Sequence, residues 1–253
     1  MTVTADLHHR IDGSEGAPNL VLLHAIGTSM RMWEPQVPSL SRDHRVISID
    51  LRGHGQSPAP PGPYAMGDLA RDVIAVLDRL ETDRASICGL SLGAMVGITM
   101  AAIAPDRIDR LIAASVVAVP TSPTAWQERA QRMRMGGSAA ISDLVVERWG
   151  YRDRAPVIAE LVREMLAATP PEGYAGCCEA IAGMDLRPIL PLVTAPALLL
   201  AGSEDPAAPP STARDIAATM LDAHVTIIDG AAHLINVEAP TAATEAILEH
   251  LRR

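Results

Sequence analysis

Residues 89–93 read Gly-Leu-Ser-Leu-Gly, between a short apolar run (ASICG, 85–89) and a stretch of small and apolar residues (92–104) that Pro105 stops. The run has the length of a buried strand and the stretch that of a buried helix. A Gly-x-Ser-x-Gly pattern alone carries little weight; its setting carries the argument. A serine at such a strand-to-helix turn has its hydroxyl thrust out of the sheet. The flanking glycines let strand and helix approach without a Cβ clash. The helix N-terminus beyond it offers free N–H groups to a developing negative charge. This turn requires a strand that feeds a helix layer, so the rest of the chain should alternate strand and helix.

It does. Apolar runs at 19–24 (NLVLLH), 45–50 (RVISID), 107–115 (RIDRLIAAS), 197–201 (ALLLA) and 225–229 (VTIID) join 85–89 as strands. None shows clean alternation, which predicts parallel strands buried on both faces. Helical periodicity falls between them at 67–80, where Leu69, Val73, Val76, Leu77 and Leu80 share a face, and at 92–104, 212–221 and 240–251. The class is therefore α/β, with a mostly parallel central sheet flanked by helices. Residues 120–191 interrupt the alternation with helices near 125–135, 139–148 and 156–168 and no strand. We expect a core formed by 1–119 and 192–253, and a helical lid over 120–191 inserted between two strands. Prolines at 120, 123, 188 and 191 mark its margins.

A nucleophilic serine needs a base, and the base needs an orienting acid. Ser203-Glu204-Asp205-Pro206 follows the run at 197–201, and Ala231-Ala232-His233 follows that at 225–229. Both lie just past the C-terminal ends of their strands, the edge that also carries Ser91 and on which open parallel sheets bind ligands. Asp205 is the candidate acid, with Glu204 its nearest rival, and His233 the candidate base. The chain order serine, acid, histidine is the one this turn predicts. The loop His24-Ala25-Ile26-Gly27 follows the first buried run. The backbone N–H of Ile26 should serve with that of Leu92 as an oxyanion hole. His24, Arg52 and His54 read as scaffold around that rim. His8, His9, His44, His224 and His250 read as surface residues, and Met135, Met165 and Met184 as packing.

The formal charge of −9 argues against nucleic acid and anionic membranes as partners. All 21 basic residues are arginine, so an anionic substrate would need a local arginine pocket. No apolar run nears the ~20 residues of a membrane helix. The N-terminal MTVTADLHHR lacks the apolar core of a secretory signal. Three cysteines, two of them adjacent, form neither a disulfide framework nor a metal-ligand spacing. The expectation is a cytoplasmic protein with a small-molecule partner, no metal and no cofactor. A homo-oligomer is compatible with the sequence.

The elbow, acid and histidine, in this order and over nearly the whole chain, resemble the α/β-hydrolase fold. More narrowly, GTSMRMWEPQ (27–36), DLRGHGQSPAPPGPY (50–64), GLSLGAMVG (89–97), AWQER (125–129), MDLRPIL (184–190) and AAHLINVEAP (231–240) resemble the 3-oxoadipate enol-lactonases of aromatic catabolism. That resemblance implies a cofactor-free hydrolase that opens 3-oxoadipate enol-lactone with a Ser-His-Asp triad under a helical lid. Carried over, the triad is Ser91, Asp205 and His233. The implied substrate bears a free carboxylate. On the helix predicted at 125–135, Trp126, Arg129 and Met133 share a face (i, i+3, i+7), an apolar wall with one guanidinium for such a group. Arg132 and Arg134 lie near it, and Arg31 is a second candidate. The same residues also fit a broad carboxylesterase or lactonase, a carbon–carbon bond hydrolase, a biosynthetic tailoring hydrolase with a neutral substrate, or a ligand receptor built on a hydrolase fold.

Overall fold

All six apolar runs form strands, and a seventh strand precedes them in a computed structural model that describes residues 4–253. The elements in chain order are β1 (His9–Asp12), β2 (Asn19–Leu23), α1 (Val37–Leu40), β3 (Arg45–Ile49), α2 (Met66–Arg79), β4 (Ala85–Leu90), α3 (Leu92–Ile103) and β5 (Ile108–Ala114). Four helices follow, α4 (Pro123–Gly136), α5 (Ser142–Arg148), α6 (Pro156–Ala167) and α7 (Pro171–Ala182). The chain ends with β6 (Ala197–Gly202), α8 (Pro210–Ala217), β7 (Ala223–Ile228), α9 (Ile235–Glu238) and α10 (Pro240–Arg252). Among the described residues no helix is long and apolar enough to cross a membrane.

The sheet order is β1-β3-β2-β4-β5-β6-β7. Every neighbouring pair is parallel except β1 with β3, which is antiparallel. The central strand β4 is buried at all six positions, as its unbroken apolar run requires. The expectation of burial on both faces fails at the edges. β7 is only half-buried along most of its length, and the four residues of β1 carry one large apolar side chain, Ile11, itself partly exposed. An edge strand lacks the neighbour that would cover it.

α2 buries the predicted stripe, Leu69, Val73, Val76 and Leu77, and the Asp68 carboxylate caps its start by accepting the Ala65 N–H at 3.0 Å. α3 is buried almost throughout behind the sheet. With no phenylalanine in the chain, Trp33, Tyr151 and Tyr174 are the largest fully buried side chains. Two of these three belong to the segment inserted between β5 and β6, Tyr174 in α7 and Tyr151 in the loop after α5.

Those inserted helices lie over the C-terminal edge of the sheet. Leu166 of α6 and Tyr174 of α7 sit against Gly27, in the loop after β2. The backbone of Gly173 packs on that of Gly53, after β3. α4 and α7 are joined by Arg134, which pairs with both Glu172 and Glu179. Three expectations need correction. Arg134 is spent on that bridge and is not free for a ligand. Met135 is 82% exposed, so it faces solvent in the last turn of α4 and does not pack. His250 is buried beneath α10, where its Nε2 reaches the Pro196 carbonyl at 3.2 Å.

Candidate active site

Ser91 stands between β4 and α3 with φ 54° and ψ −111°, a left-handed backbone rare for a residue with a side chain. Three backbone hydrogen bonds hold it there. Its N–H donates to Ala114 at 2.8 Å, its carbonyl accepts from Met95 at 3.0 Å, and the next-door Gly93 N–H donates to His24 at 3.1 Å. A Cβ on Gly89 would lie 2.2 Å from the Gly93 carbonyl oxygen, and one on Gly93 would lie 2.2 Å from that of Leu23. The two glycines of the motif are therefore set by close approach of backbone to backbone.

Asp205 and His233 meet on the neighbouring loops. Asp205 Oδ2 lies 2.8 Å from His233 Nδ1, and both side chains are almost fully buried. The other carboxylate oxygen accepts the N–H groups of Ala207 (2.8 Å) and Ala208 (3.1 Å). Burial pushes the Asp205 carboxyl up, but His233 and those two N–H groups outweigh it and hold the group below its ordinary range. Glu204, the rival acid, is exposed, and its nearest hydroxyl contact is Ser203 at 3.5 Å. The serine and histidine loops share one anchor, the end of β5. Ala114 accepts the Ser91 N–H, and the next residue, Ser115, donates its hydroxyl to the His233 carbonyl at 2.7 Å. No hydrogen bond joins Ser91 Oγ to His233 among the described residues. That bond is often long in hydrolases before substrate arrives.

The loop after β2 contributes by elimination. The Ala25 N–H points at Met32 Sδ (3.3 Å), the Gly27 N–H at His54 Nε2 (2.9 Å) and the Thr28 N–H at the Ala25 carbonyl (3.3 Å). Among these four residues, only Ile26 keeps a free N–H. Leu92, the first residue of α3, keeps its own as well. His24 and His54 hold this loop in neutral form. His24 Nε2 accepts the Leu51 N–H at 2.9 Å, and the two rings lie 5.0 Å apart. Burial lowers His24 to about 4 and, with the charge of His24 added, His54 to about 3.

The inserted helices supply a cationic wall. Arg129 is 6% exposed, stacks over Trp126 with Cζ 4.4 Å from the ring centroid, and has a buried Nη1 with no hydrogen-bond partner. Arg148 of α5 also lies near that ring, at 5.5 Å. Burial and then the Arg129 charge lower the Arg148 pKa, opposed by Asp205. Both arginines line a cleft of about 370 Å³ with Leu144, Arg132 and Pro206, the residue after Asp205. The predicted face of α4 is thus partly realised. Trp126 and Arg129 stack, while Met133 is fully buried in the packing. Arg31 stands apart, exposed and 3.4 Å from Glu34, beside a different cleft between the loop after β2 and α6.

Sequence reasoning missed Arg148, Ser115, Trp149 and Tyr151. The Trp149 ring lies 5.2 Å from that of His233, at 30° between planes, and the Tyr151 hydroxyl accepts the Leu234 N–H at 2.6 Å. Only the fold brings these residues to the site, and their spacing carries no signal of it.

The sequence model described as "Alpha/beta hydrolase family" matches residues 20–247. The chain is 34% identical to 3-oxoadipate enol-lactonase 2 of Acinetobacter baylyi, over all of its own length and 96% of that protein. The enol-lactonase structure from Burkholderia xenovorans LB400 superposes with a TM-score of 0.93 at 40% identity, covering 98% of this chain and 97% of that one. A malate-bound thermophilic esterase from Thermogutta terrifontis superposes at 0.91 with 31% identity, covering 98% and 93%. A left-handed serine before a buried helix, a buried aspartate–histidine pair on the same sheet edge and full-length similarity to the enol-lactonases agree: the chain belongs to the alpha/beta hydrolase family.

Proposed function

We propose that the protein is a cofactor-free serine hydrolase that opens a small carboxylated lactone, with 3-oxoadipate enol-lactone as the substrate and 3-oxoadipate as the product. The observation that carries the chemistry is the buried 2.8 Å bond between Asp205 and His233, with the His233 loop anchored to the same strand end as Ser91. Asp205 fixes the Nδ1–H tautomer and leaves Nε2 as the base. His233 takes the Ser91 proton as Oγ attacks the lactone carbonyl. The Ile26 and Leu92 N–H groups hold the oxyanion. Collapse breaks the ring C–O bond and expels the enolate, which takes the proton from His233 and tautomerises to the ketone. The acyl group stays on Ser91 until water, deprotonated by His233, attacks it. The second collapse frees the new carboxylate and returns the proton to Ser91. Because the enolate leaves readily, positioning the substrate is the larger demand.

Arg129 and Arg148 support an anionic substrate. A buried guanidinium, Arg129, beside the half-buried Arg148, neither in an ion pair among the described residues, favours a ligand that brings a negative charge. The A. baylyi and B. xenovorans relatives are named as enol-lactonases, and the T. terrifontis esterase holds malate, a dicarboxylate. The segment 120–191 would act as a cap that carries this recognition over the serine. Hydrolysis of 3-oxoadipate enol-lactone, measured beside p-nitrophenyl acetate with Ser91→Ala as the blank, tests the reading. Fast lactone turnover with weak esterase activity is the expected result. Ester turnover without lactone turnover would keep the Ser91 mechanism and move the substrate to neutral esters.

A further inference from the structure

Three residues of the inserted segment reach past the substrate cleft to the loop of the general base. Trp149, 2% exposed, lays its ring against His233. Tyr151, fully buried, accepts the Leu234 N–H with its hydroxyl at 2.6 Å. The Tyr151 hydroxyl also lies 3.4 Å from Glu238 Oε2, the oxygen that accepts the Ala232 N–H at 2.6 Å. Arg154 pairs with Glu238 and donates to the Gly230 carbonyl. The amides on both sides of His233 are therefore held by side chains, one of them from the inserted segment.

Between Trp149 and Tyr151 lies Gly150, with φ +82°. A Cβ there would meet Pro206 Cδ at 3.2 Å and Ala232 Cβ at 3.5 Å. Gly150 thus occupies the gap between the loop of the acid and the loop of the base. Its left-handed turn lets the residues on either side of it both reach the histidine loop. Burial pushes the Tyr151 phenol up, so it stays neutral and can accept from Leu234 while donating to Glu238.

We propose that the turn Trp149-Gly150-Tyr151 is a positioning element for His233: it fixes the imidazole against Asp205, so that the inserted segment aligns the base as well as covers the substrate. The proposal rests on His233 being the general base. A ring held only by its carboxylate can swing about χ1 and χ2, whereas stacking on Trp149 and a fixed backbone on both sides restrict that swing. Loss of this support should act on the chemical step and leave substrate binding alone.

The test compares Tyr151→Phe, Trp149→Leu and Trp149→Phe with the native enzyme on p-nitrophenyl acetate and on the lactone, whichever of the two Ser91 turns over. Tyr151→Phe removes one oxygen and keeps the ring, so it should fold even if Trp149→Leu does not. We expect kcat to fall by about tenfold or more in Tyr151→Phe and Trp149→Leu, with KM changed less than about twofold, and Trp149→Phe to recover most of the loss. A proton NMR readout separates this proposal from the substrate reading. The Nδ1–H proton shared by His233 and Asp205 should exchange with solvent faster in both damaging variants, whatever the substrate. Unchanged kcat and unchanged exchange in folded Tyr151→Phe would overturn the proposal. So would a rise in KM at constant kcat, or a loss of activity that only follows the fraction unfolded.

Discussion

His54 Nε2 accepts the Gly27 N–H at 2.9 Å, and this bond fixes which amide of the neighbouring loop stays free. Were Gly27 released, the peptide before it could rotate and the Ile26 N–H would lose its direction. His54 reaches no reacting atom, yet it sets the direction of the proposed oxyanion donor. Replacing it with leucine fills the space and removes the acceptor. His54→Leu should lower kcat by about 10- to 100-fold with little change in KM, less than the loss of a donor outright. Steady-state kinetics on the preferred substrate, with far-UV circular dichroism to confirm folding, checks this.

Ser91 carries its hydroxyl on a left-handed backbone at φ 54°. For a residue with a Cβ, such a conformation costs about 1–3 kcal/mol, while glycine adopts it freely. Ser91→Gly should therefore abolish hydrolysis and raise the unfolding free energy by about 1 kcal/mol. Urea denaturation of native, Ser91→Ala and Ser91→Gly proteins measures it. An Ser91→Gly protein less stable than Ser91→Ala would show that the turn is not strained.

Arg129 presents a buried Nη1 with no hydrogen-bond partner, stacked on Trp126. A group kept in this state costs stability unless a ligand completes it. Arg129→Met keeps most of the stem volume and removes the charge. It should raise KM for a carboxylated lactone by about 10- to 100-fold, leave p-nitrophenyl acetate within about twofold, and leave Tm unchanged or higher. Equal effects on both substrates would take Arg129 out of the binding site.

The strands were legible wherever an apolar run marked them, from the fully buried Ala85–Leu90 to the half-buried β7, and illegible where no run existed. β1 pairs only through its backbone at an exposed edge, so His9–Asp12 shows no apolar pattern. Cys177 and Cys178 read as buried helix residues, as they are, but the bounds of α7 were not drawn because Gly173 and Gly176 blur its helical period; small residues are placed there by close packing on Gly53 and Tyr64. The loops of Ser91, Asp205 and His233 could be found because each follows a strand and has a fixed order along the chain. Position and resemblance favoured Asp205 over Glu204 in the sequence; the fold adds the 2.8 Å bond of Asp205 to the histidine and the exposure of Glu204. Arg148, Trp149 and Tyr151 gain their meaning from where α5 ends, and no local pattern records that.

Arg52 and Asp72 form a buried two-bond pair, with both N–H···O distances 2.7 Å. Asp72 also accepts the Ala5 N–H at 2.7 Å, which ties the N-terminal segment to α2. Removing the cation alone leaves a carboxylate in a dry site. Arg52→Met should lower the unfolding free energy by about 3–5 kcal/mol, and the double variant Arg52→Met/Asp72→Leu should recover much of it. Denaturation midpoints of the two variants decide between a stabilising pair and a merely tolerated one.

The two buried histidines beside the loop after β2 make stability depend on pH. His24 and His54 titrate near 6.5 when unfolded, but burial holds them to about 4 and about 3 in the fold. Between those values the unfolded chain binds protons that the folded chain refuses, so stability rises with pH across this window and is lost as pH falls through it. Each fully buried ring should cost about 1 kcal/mol on going from pH 7 to 5.5. Protonation would also turn His54 Nε2 from an acceptor into a donor facing the Gly27 N–H, so the oxyanion loop should loosen before the whole domain unfolds. Urea midpoints at pH 7, 6 and 5.5 measure the global loss, and His54→Leu should remove about a third of the slope, because His250, which burial lowers to about 4, contributes over the same window. Hydrogen exchange at Gly27 over the same range reports the local opening, and an exchange rate that tracks global unfolding alone would place the acid-sensitive step elsewhere.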